Sequence, residues 1–257
     1  MDFDMIVDRY ERYLVARFGP SGPEKSTRVT NELLRDVMSN REAMDILDGD
    51  PDNFELIGDR EFVKLNDLIG DVGLARSFEG DVCIMVLLLE SVGMWGGEVR
   101  TAVDIGCGDL VLMSFLHGSG LLGKRLVGVE PSRVYLEMAT GSLHPGIDLV
   151  RGWPTKLPLD DATSDLTLVV DLIHLCHGWR EMLAEAVRVT REGGLMFLAF
   201  CEQSRVHVHP RQVAEVLSRL GMDVVGCRET DREEGIRRNV VAAIKRKPAG
   251  VVVVRTL

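Results

Sequence analysis

The chain has 257 residues, 46% of them apolar and 27% charged, which excludes a disordered or fibrous chain and leaves enough length to bury a core without disulfides or a structural metal. Its five cysteines, Cys83, Cys107, Cys176, Cys201 and Cys227, are scattered with no CxxC pair; this argues against a disulfide framework or a zinc knuckle and points to a reducing, cytoplasmic setting. The net charge is −10, and the first 100 residues, with 21 acids and 11 bases, carry the whole excess, so phosphate backbones are repelled and no nucleic acid is expected as a partner.

Met1–Asp8 carries three acids and lacks the basic start and apolar middle of a secretory leader. The longest apolar run, Val82–Leu89, falls far short of the roughly 20 residues of a membrane span, so no membrane partner is expected. Phe3, Ile6, Val7, Tyr10, Tyr13 and Leu14 recur at the spacing of an amphipathic helix ending near Gly19–Pro20. Thr27 is placed to cap a second helix carrying Val29, Leu33, Leu34 and Val37, with further helices around Glu42–Leu47, Glu61–Ile69 and Gly80–Val92. The composition changes at Gly93–Gly97, which divides the chain into a helical segment, 1–97, and a second domain, 98–257.

Beyond that boundary, short apolar strands alternate with helices. The strands are Ala102–Ile105, Leu126–Val129, Ile147–Val150, Leu166–Val170, Leu195–Phe200, Asp223–Cys227 and Val240–Ile244. Helices fit near Leu110–His117, Ser132–Thr140, Trp179–Thr190 and Pro210–Leu220. Such alternation predicts an α/β fold, a doubly wound and mostly parallel seven-stranded sheet with an N-terminal helical segment. The tail run Val251–Val254 suits an edge strand or an inter-subunit strand.

The segment Val103-Asp104-Ile105-Gly106-Cys107-Gly108-Asp109 ends a strand and opens a helix. Glycines at such a turn let backbone approach a ligand, and ligands of open α/β sheets bind outside the carboxyl ends of the strands. A nicotinamide fingerprint, GxGxxG, fits only in part, because Val111 stands at its last glycine. The second strand ends in Glu130, placed to accept hydrogen bonds from both hydroxyls of a ribose in either class of cofactor.

From about Arg100 to Lys247 the chain resembles class I S-adenosylmethionine (SAM)-dependent methyltransferases, especially the group that includes ubiquinone- and menaquinone-biosynthesis enzymes. The likeness lies in VDIGCGD; in VGVEPS, Val127–Ser132; in GWPTKLP, Gly152–Pro158; in SDLTLVVDLIHL, Ser164–Leu175; and in WREMLAEAVRVTREGG, Trp179–Gly194. It covers about 150 residues and leaves the first 95 or so unmatched. The resemblance implies a SAM-dependent domain over 98–257. Asp104, Gly106, Cys107 and Gly108 would lie along the methionine part of the cofactor, Glu130 and Pro131 at the ribose, Trp153 and Pro154 at the adenine, and Asp171 and Leu172 beside the methyl group. Segment 1–97 would then be a lid or acceptor-specificity cap over the site, or a dimerisation segment forming a homodimer.

Two positions depart from the pattern. Leu110 stands where the family often has a third glycine and is expected to narrow the loop. Trp153 stands where an acid commonly meets the adenine amino group, so it either stacks on adenine or packs in the core.

Methyl transfer from a sulfonium needs alignment above all, and a base only where the acceptor must lose a proton. His174 and His177, just after the fourth strand, are the candidate catalytic bases; His207 and His209, after the fifth, are further candidates to line the pocket. No metal is expected, since no recognised ligand spacing occurs. The expected function is methyl transfer from S-adenosylmethionine to an O, N or C atom of a small-molecule acceptor. The alternative is a non-catalytic or repurposed SAM-binding protein of the same fold.

Overall fold

The computed structural model describes residues 3–18, 78–140, 143–173, 176, 178–201, 208–229 and 238–246. The elements are α1 (Phe3–Phe18), α2 (Phe78–Trp95), β1 (Thr101–Ile105), α3 (Val111–Gly118), β2 (Arg125–Glu130), α4 (Arg133–Thr140), β3 (Ile147–Arg151), β4 (Ser164–Val170), α5 (Trp179–Val189), β5 (Thr190–Cys201), α6 (Pro210–Arg219), β6 (Met222–Glu229) and β7 (Arg238–Lys245). Each strand and helix read from residue 98 onward is present with its ends moved by a few residues. The helices expected between residues 27 and 69 lie outside the described residues, as does the tail strand.

The seven strands form one sheet in the order β3-β2-β1-β4-β5-β7-β6. The pairings from β3 through β5 are parallel, whereas β7 runs antiparallel to both β5 and β6. This is the doubly wound, mostly parallel sheet that the alternation predicts. The period of two along each strand sends apolar side chains to both faces, as a sheet covered on both sides requires. Ala102, Leu126, Leu168, Phe197 and Ala242 join one core with residues of α1, α2 and α3. Val103, Val127, Val169, Leu198 and Val241 join the other with residues of α5 and α6.

Helices α1 and α2 are part of the first of these layers. Tyr10 is buried against Phe115 of α3, ring centroids 4.9 Å apart, and its hydroxyl donates to Asp81 of α2 at 2.6 Å. The cap or dimer role expected of the 1–97 segment falls otherwise on residues 19–77, outside the described set. No helix among the described residues is long and apolar enough to cross a membrane.

Polar clamps set the height of the strands. Asp165 accepts from the N–H groups of Arg100 and Thr101, at 2.9 and 2.8 Å, and pairs with Arg191. Burial pushes its carboxyl up, but these partners outweigh it and hold it below the usual carboxylate range. Lys245 donates to the carbonyls of Val187 and Thr190 at 2.7 and 2.6 Å, closing the C-terminal end of α5 where a cation is favoured. Burial lowers the Lys245 ammonium below its ordinary range.

Candidate active site

From β1 the chain winds outward one way through β2 and β3, and from β4 the other way through β5. The gap above β1 and β4 is therefore the topological switch point, where open α/β sheets bind ligands. The loops after β1, β2 and β4 all border it.

Gly106 has φ +70° and Gly108 φ +52°, both in the left-handed region that favours glycine. The N–H groups of Gly106 and Cys107 both donate to the Val129 carbonyl, at 2.8 and 3.2 Å, so the loop folds back over β2. A Cβ at Gly106 would fall 2.7 Å from Leu172 Cδ2, whereas one at Gly108 would meet nothing within 4 Å. Gly106 is thus the seat for Leu172, and Gly108 presents bare backbone to open space.

The Gly108 N–H donates to Glu130 Oε2 and the Ser132 N–H to Oε1, both at 3.0 Å. Glu130 is 6% exposed. Burial pushes its carboxyl from 4.5 up to about 7 against these two hydrogen bonds, and the charge of Asp109 adds to the rise. A carboxylate offers about four acceptor sites, so two remain for hydroxyl donors from a ligand. Sequence reasoning passed over Asp109 and Ser132. The signal for Ser132 is its place at a helix start: its hydroxyl accepts from the Tyr135 N–H at 3.3 Å.

Leu110 corrects an expectation. Its backbone is left-handed, φ +59°, as the missing third glycine would have been. Yet the side chain does not narrow the loop; it is 1% exposed and belongs to the core. Its Cδ1, Cys107 Sγ and Leu149 Cδ2 lie 3.1, 2.7 and 3.0 Å from where a Cβ of Gly128 would stand. Absence of a side chain on β2 makes the hole these three fill. Burying a leucine contributes about 1.5–3 kcal/mol, enough to offset roughly 1–2 kcal/mol of left-handed strain.

Asp104 is buried within β1, in register between Gly128 and Leu168. Pro131 is half-buried, and its carbonyl accepts from Arg151 Nε at 3.0 Å. The Gly152 N–H donates to the Glu130 carbonyl at 3.3 Å, which brings half-buried Trp153 and Pro154 next to Glu130 in a turn closed by Lys156 N–H to Trp153 O at 3.0 Å. That loop is clasped from α5: Glu185 accepts from the Leu157 N–H at 2.7 Å, and Arg188 donates to the Leu159 and Leu157 carbonyls at 2.8 and 3.1 Å. The clasp joins residues about 30 apart, and no local pattern announces it.

On the far side, Asp171 has φ +52°, and its N–H donates to Ala199 O at 2.7 Å. A non-glycine in this region stores strain, which clusters at functional sites. His174, His177 and His207 lie outside the described residues. His209 is exposed and caps α6, its Nδ1 accepting from the Arg211 N–H at 3.2 Å. Cys176 is buried, and burial pushes its thiol up to about 11, so it is no ready nucleophile.

The structure therefore brings Gly106, Cys107, Gly108, Glu130 and Leu172 together, with Pro131, Trp153, Pro154 and Asp171 on the rim. A nucleoside fits: the open backbone at Gly108 leaves room, and Glu130 holds acceptor capacity for two ribose hydroxyls. The carboxyls of Glu130 and Asp109 also suit a cationic ligand.

Residues 103–198 match the family model of a methyltransferase domain. Among solved structures of like fold are the PH0226 protein from Pyrococcus horikoshii, with TM-score 0.54 and 16% identity over 66% of this chain and 92% of that one. Another is an S-adenosylmethionine-dependent methyltransferase from Mesorhizobium loti, with TM-score 0.52 and 15% identity over 62% of this chain and 96% of that one. Residues 103–198 thus match a methyltransferase domain, and the chain shares its fold with S-adenosylmethionine-dependent methyltransferases.

Two curated relatives are methyltransferases of named substrate. The phthiotriol/phenolphthiotriol dimycocerosates methyltransferase of Mycobacterium tuberculosis is 33% identical over 105 residues, 38% of this chain and 39% of its own length. The demethylmenaquinone methyltransferase of Thermobifida fusca is 31% identical over 141 residues, 51% of this chain and 58% of its own. The chain spans less than two thirds of either.

Proposed function

We propose that this chain is an enzyme that transfers a methyl group from S-adenosylmethionine to an oxygen, nitrogen or carbon atom of a small-molecule acceptor. The observation that carries this reading is the pairing of Glu130 with the Gly108 N–H beside an open, side-chain-free stretch of loop. On this reading Glu130 takes the ribose hydroxyls, Gly106–Gly108 accommodate the amino-acid end, Trp153 stacks on the adenine, and Leu172 with Asp171 borders the reacting methyl. When bound, the cofactor supplies a methyl group already activated on sulfonium.

The protein's own work is then orientation, which alone can lower a barrier by up to roughly 7–11 kcal/mol. The Glu185–Arg188 clasp holds the adenine-side loop in place for that purpose. The names of the two relatives, which methylate phthiotriols and demethylmenaquinone, support a small-molecule acceptor.

The test is isothermal titration with SAM and with its demethylated product, S-adenosylhomocysteine. Dissociation constants in the micromolar range are expected. No heat with either refutes the reading, and binding without a methylated product from any acceptor marks a repurposed scaffold.

A further inference from the structure

The cofactor half of the crevice stands over β1 and β2; the other half stands over the ends of β4, β5 and β7. Because β7 is antiparallel, its first residues, not its last, reach this edge. Val170 of β4 pairs with Ala199 of β5, and Ala199 with Val240 of β7. One row further out, Phe200 pairs with Asn239. Asp171, Phe200 and Asn239 therefore close the sheet's carboxyl edge on this side.

Asn239 is 0% exposed, yet neither its Oδ1 nor its Nδ2 has a hydrogen-bond partner. A primary amide carries two donors and an acceptor with two lone pairs. Leaving all of them unmet in the interior costs more than a neutral hydrogen bond returns. Other buried polar groups of the sheet are met: the Thr167 and Thr190 hydroxyls pair at 2.7 Å, and Asp165 has three partners. The other buried unmet atoms among the described residues are Tyr13 Oη on α1, His117 Nδ1 in the last turn of α3 and Ser164 Oγ at the opposite edge of the sheet. Among the described residues, Asn239 alone has both ends unmet and lies at the ligand edge. Fixed, unsatisfied polar groups of this kind are what binding sites retain at the expense of stability.

We propose that Asn239 is the recognition residue of an acceptor subsite, binding one hydroxyl of an otherwise apolar molecule. This rests on the methyl-transfer reading. A hydroxyl donates to Oδ1 and accepts from Nδ2, so a single group meets both ends of the amide. A carbonyl meets only one, and a charged group would have to give up its hydration beside the buried Asn239 and Phe200. The acceptor class is thus a hydroxylated, otherwise apolar compound.

The experiment uses the full chain saturated with S-adenosylhomocysteine, with 1-naphthol and naphthalene as probes followed by ligand-observed NMR. Wild type should bind naphthol about tenfold more tightly than naphthalene. Asn239→Leu should erase that preference, keep the S-adenosylhomocysteine dissociation constant within about twofold, and melt no lower than wild type, because an unmet amide replaced by an apolar isostere costs nothing. A wild type with no preference, a variant that keeps it, or a lower melting temperature in the leucine variant overturns the proposal. If the leucine variant does not fold, Asn239→Ala is read for the naphthol preference alone, and its retention overturns the proposal. Failure of S-adenosylhomocysteine to bind is a separate result, which removes the methyl-transfer reading and leaves the naphthol comparison on the unliganded chain to judge the subsite.

Discussion

The two halves of the crevice are made of different material. Over β1 and β2 the ligand surface is mostly backbone: two left-handed glycines, the N–H groups of Gly108 and Ser132, and one carboxylate that they hold. Over β4, β5 and β7 it is side chains, with strain at Asp171 and unmet polarity at Asn239. A backbone surface demands particular residue types at fixed spacing, so it persists as a motif. A side-chain surface can be rebuilt residue by residue, and on the proposed reading it is the side that would select the acceptor.

The contrast is tested most severely at Glu130. Two charge-assisted hydrogen bonds at about 1.5–3 kcal/mol each imply that Glu130→Ala weakens S-adenosylhomocysteine at least about 100-fold by calorimetry. An effect under tenfold would mean that the ribose lies elsewhere. Next come paired glycine changes. Gly108→Val puts a side chain into the open space, so binding should weaken by roughly 10- to 100-fold. Gly106→Ala instead meets Leu172 and should cost about 2 kcal/mol of stability, a fall of roughly 4–8 °C in melting temperature for a chain of this size. Equal effects of the two on binding would break the distinction between seat and cradle.

A pH titration sharpens it further. The free Glu130 carboxyl titrates near 7 because of burial, and ligand hydroxyls stabilise only its anion. Binding must therefore release a proton below pH 7 and none above it. 5′-Methylthioadenosine, which lacks a titrating amino acid, should bind about tenfold more weakly at pH 6 than at pH 8. Glu130→Gln should flatten that dependence. Folding carries the opposite sign: a carboxyl raised in the folded state contributes stability fully below 4.5 and loses it as pH rises through 7. Because binding strengthens over the same range, the ligand-induced rise in melting temperature should be larger at pH 8.

The smallest binding effect is expected at Leu110. Leu110→Gly removes left-handed strain of about 1–2 kcal/mol but forfeits a core side chain worth about 2–5 kcal/mol. The variant should melt several degrees lower while S-adenosylhomocysteine affinity stays within about threefold. A large loss of affinity would restore the view that this side chain shapes the loop.

Legibility in the sequence followed the same division. The strands were readable because alternation of apolar runs with amphipathic helices is local, and the meeting of Gly106, Gly108 and Glu130 at one edge was readable because it depends on where strands end. Leu110 misled because its left-handed backbone says nothing about where the side chain goes; the hole under Gly128, 18 residues on, decides that. Asn239 stands one residue before the strand expected at Val240–Ile244, and only the pairing of β7 against β5 carries it to the sheet's carboxyl edge. The Glu185–Arg188 clasp escaped for the same reason: its partners come from another element. The antiparallel last strand follows from the direct link between β6 and β7, which are neighbours in chain and in sheet.

The hydrogen bond from Tyr10 to Asp81 spans 71 positions in the chain and is buried. It joins α1 to α2 at one point on the domain's flank, which in polymer terms closes a loop in the chain. Closing such a loop costs entropy that grows only with the logarithm of its length, about 0.6 kcal/mol for each doubling. The entropic cost of joining the two helices therefore depends only weakly on how many residues separate them.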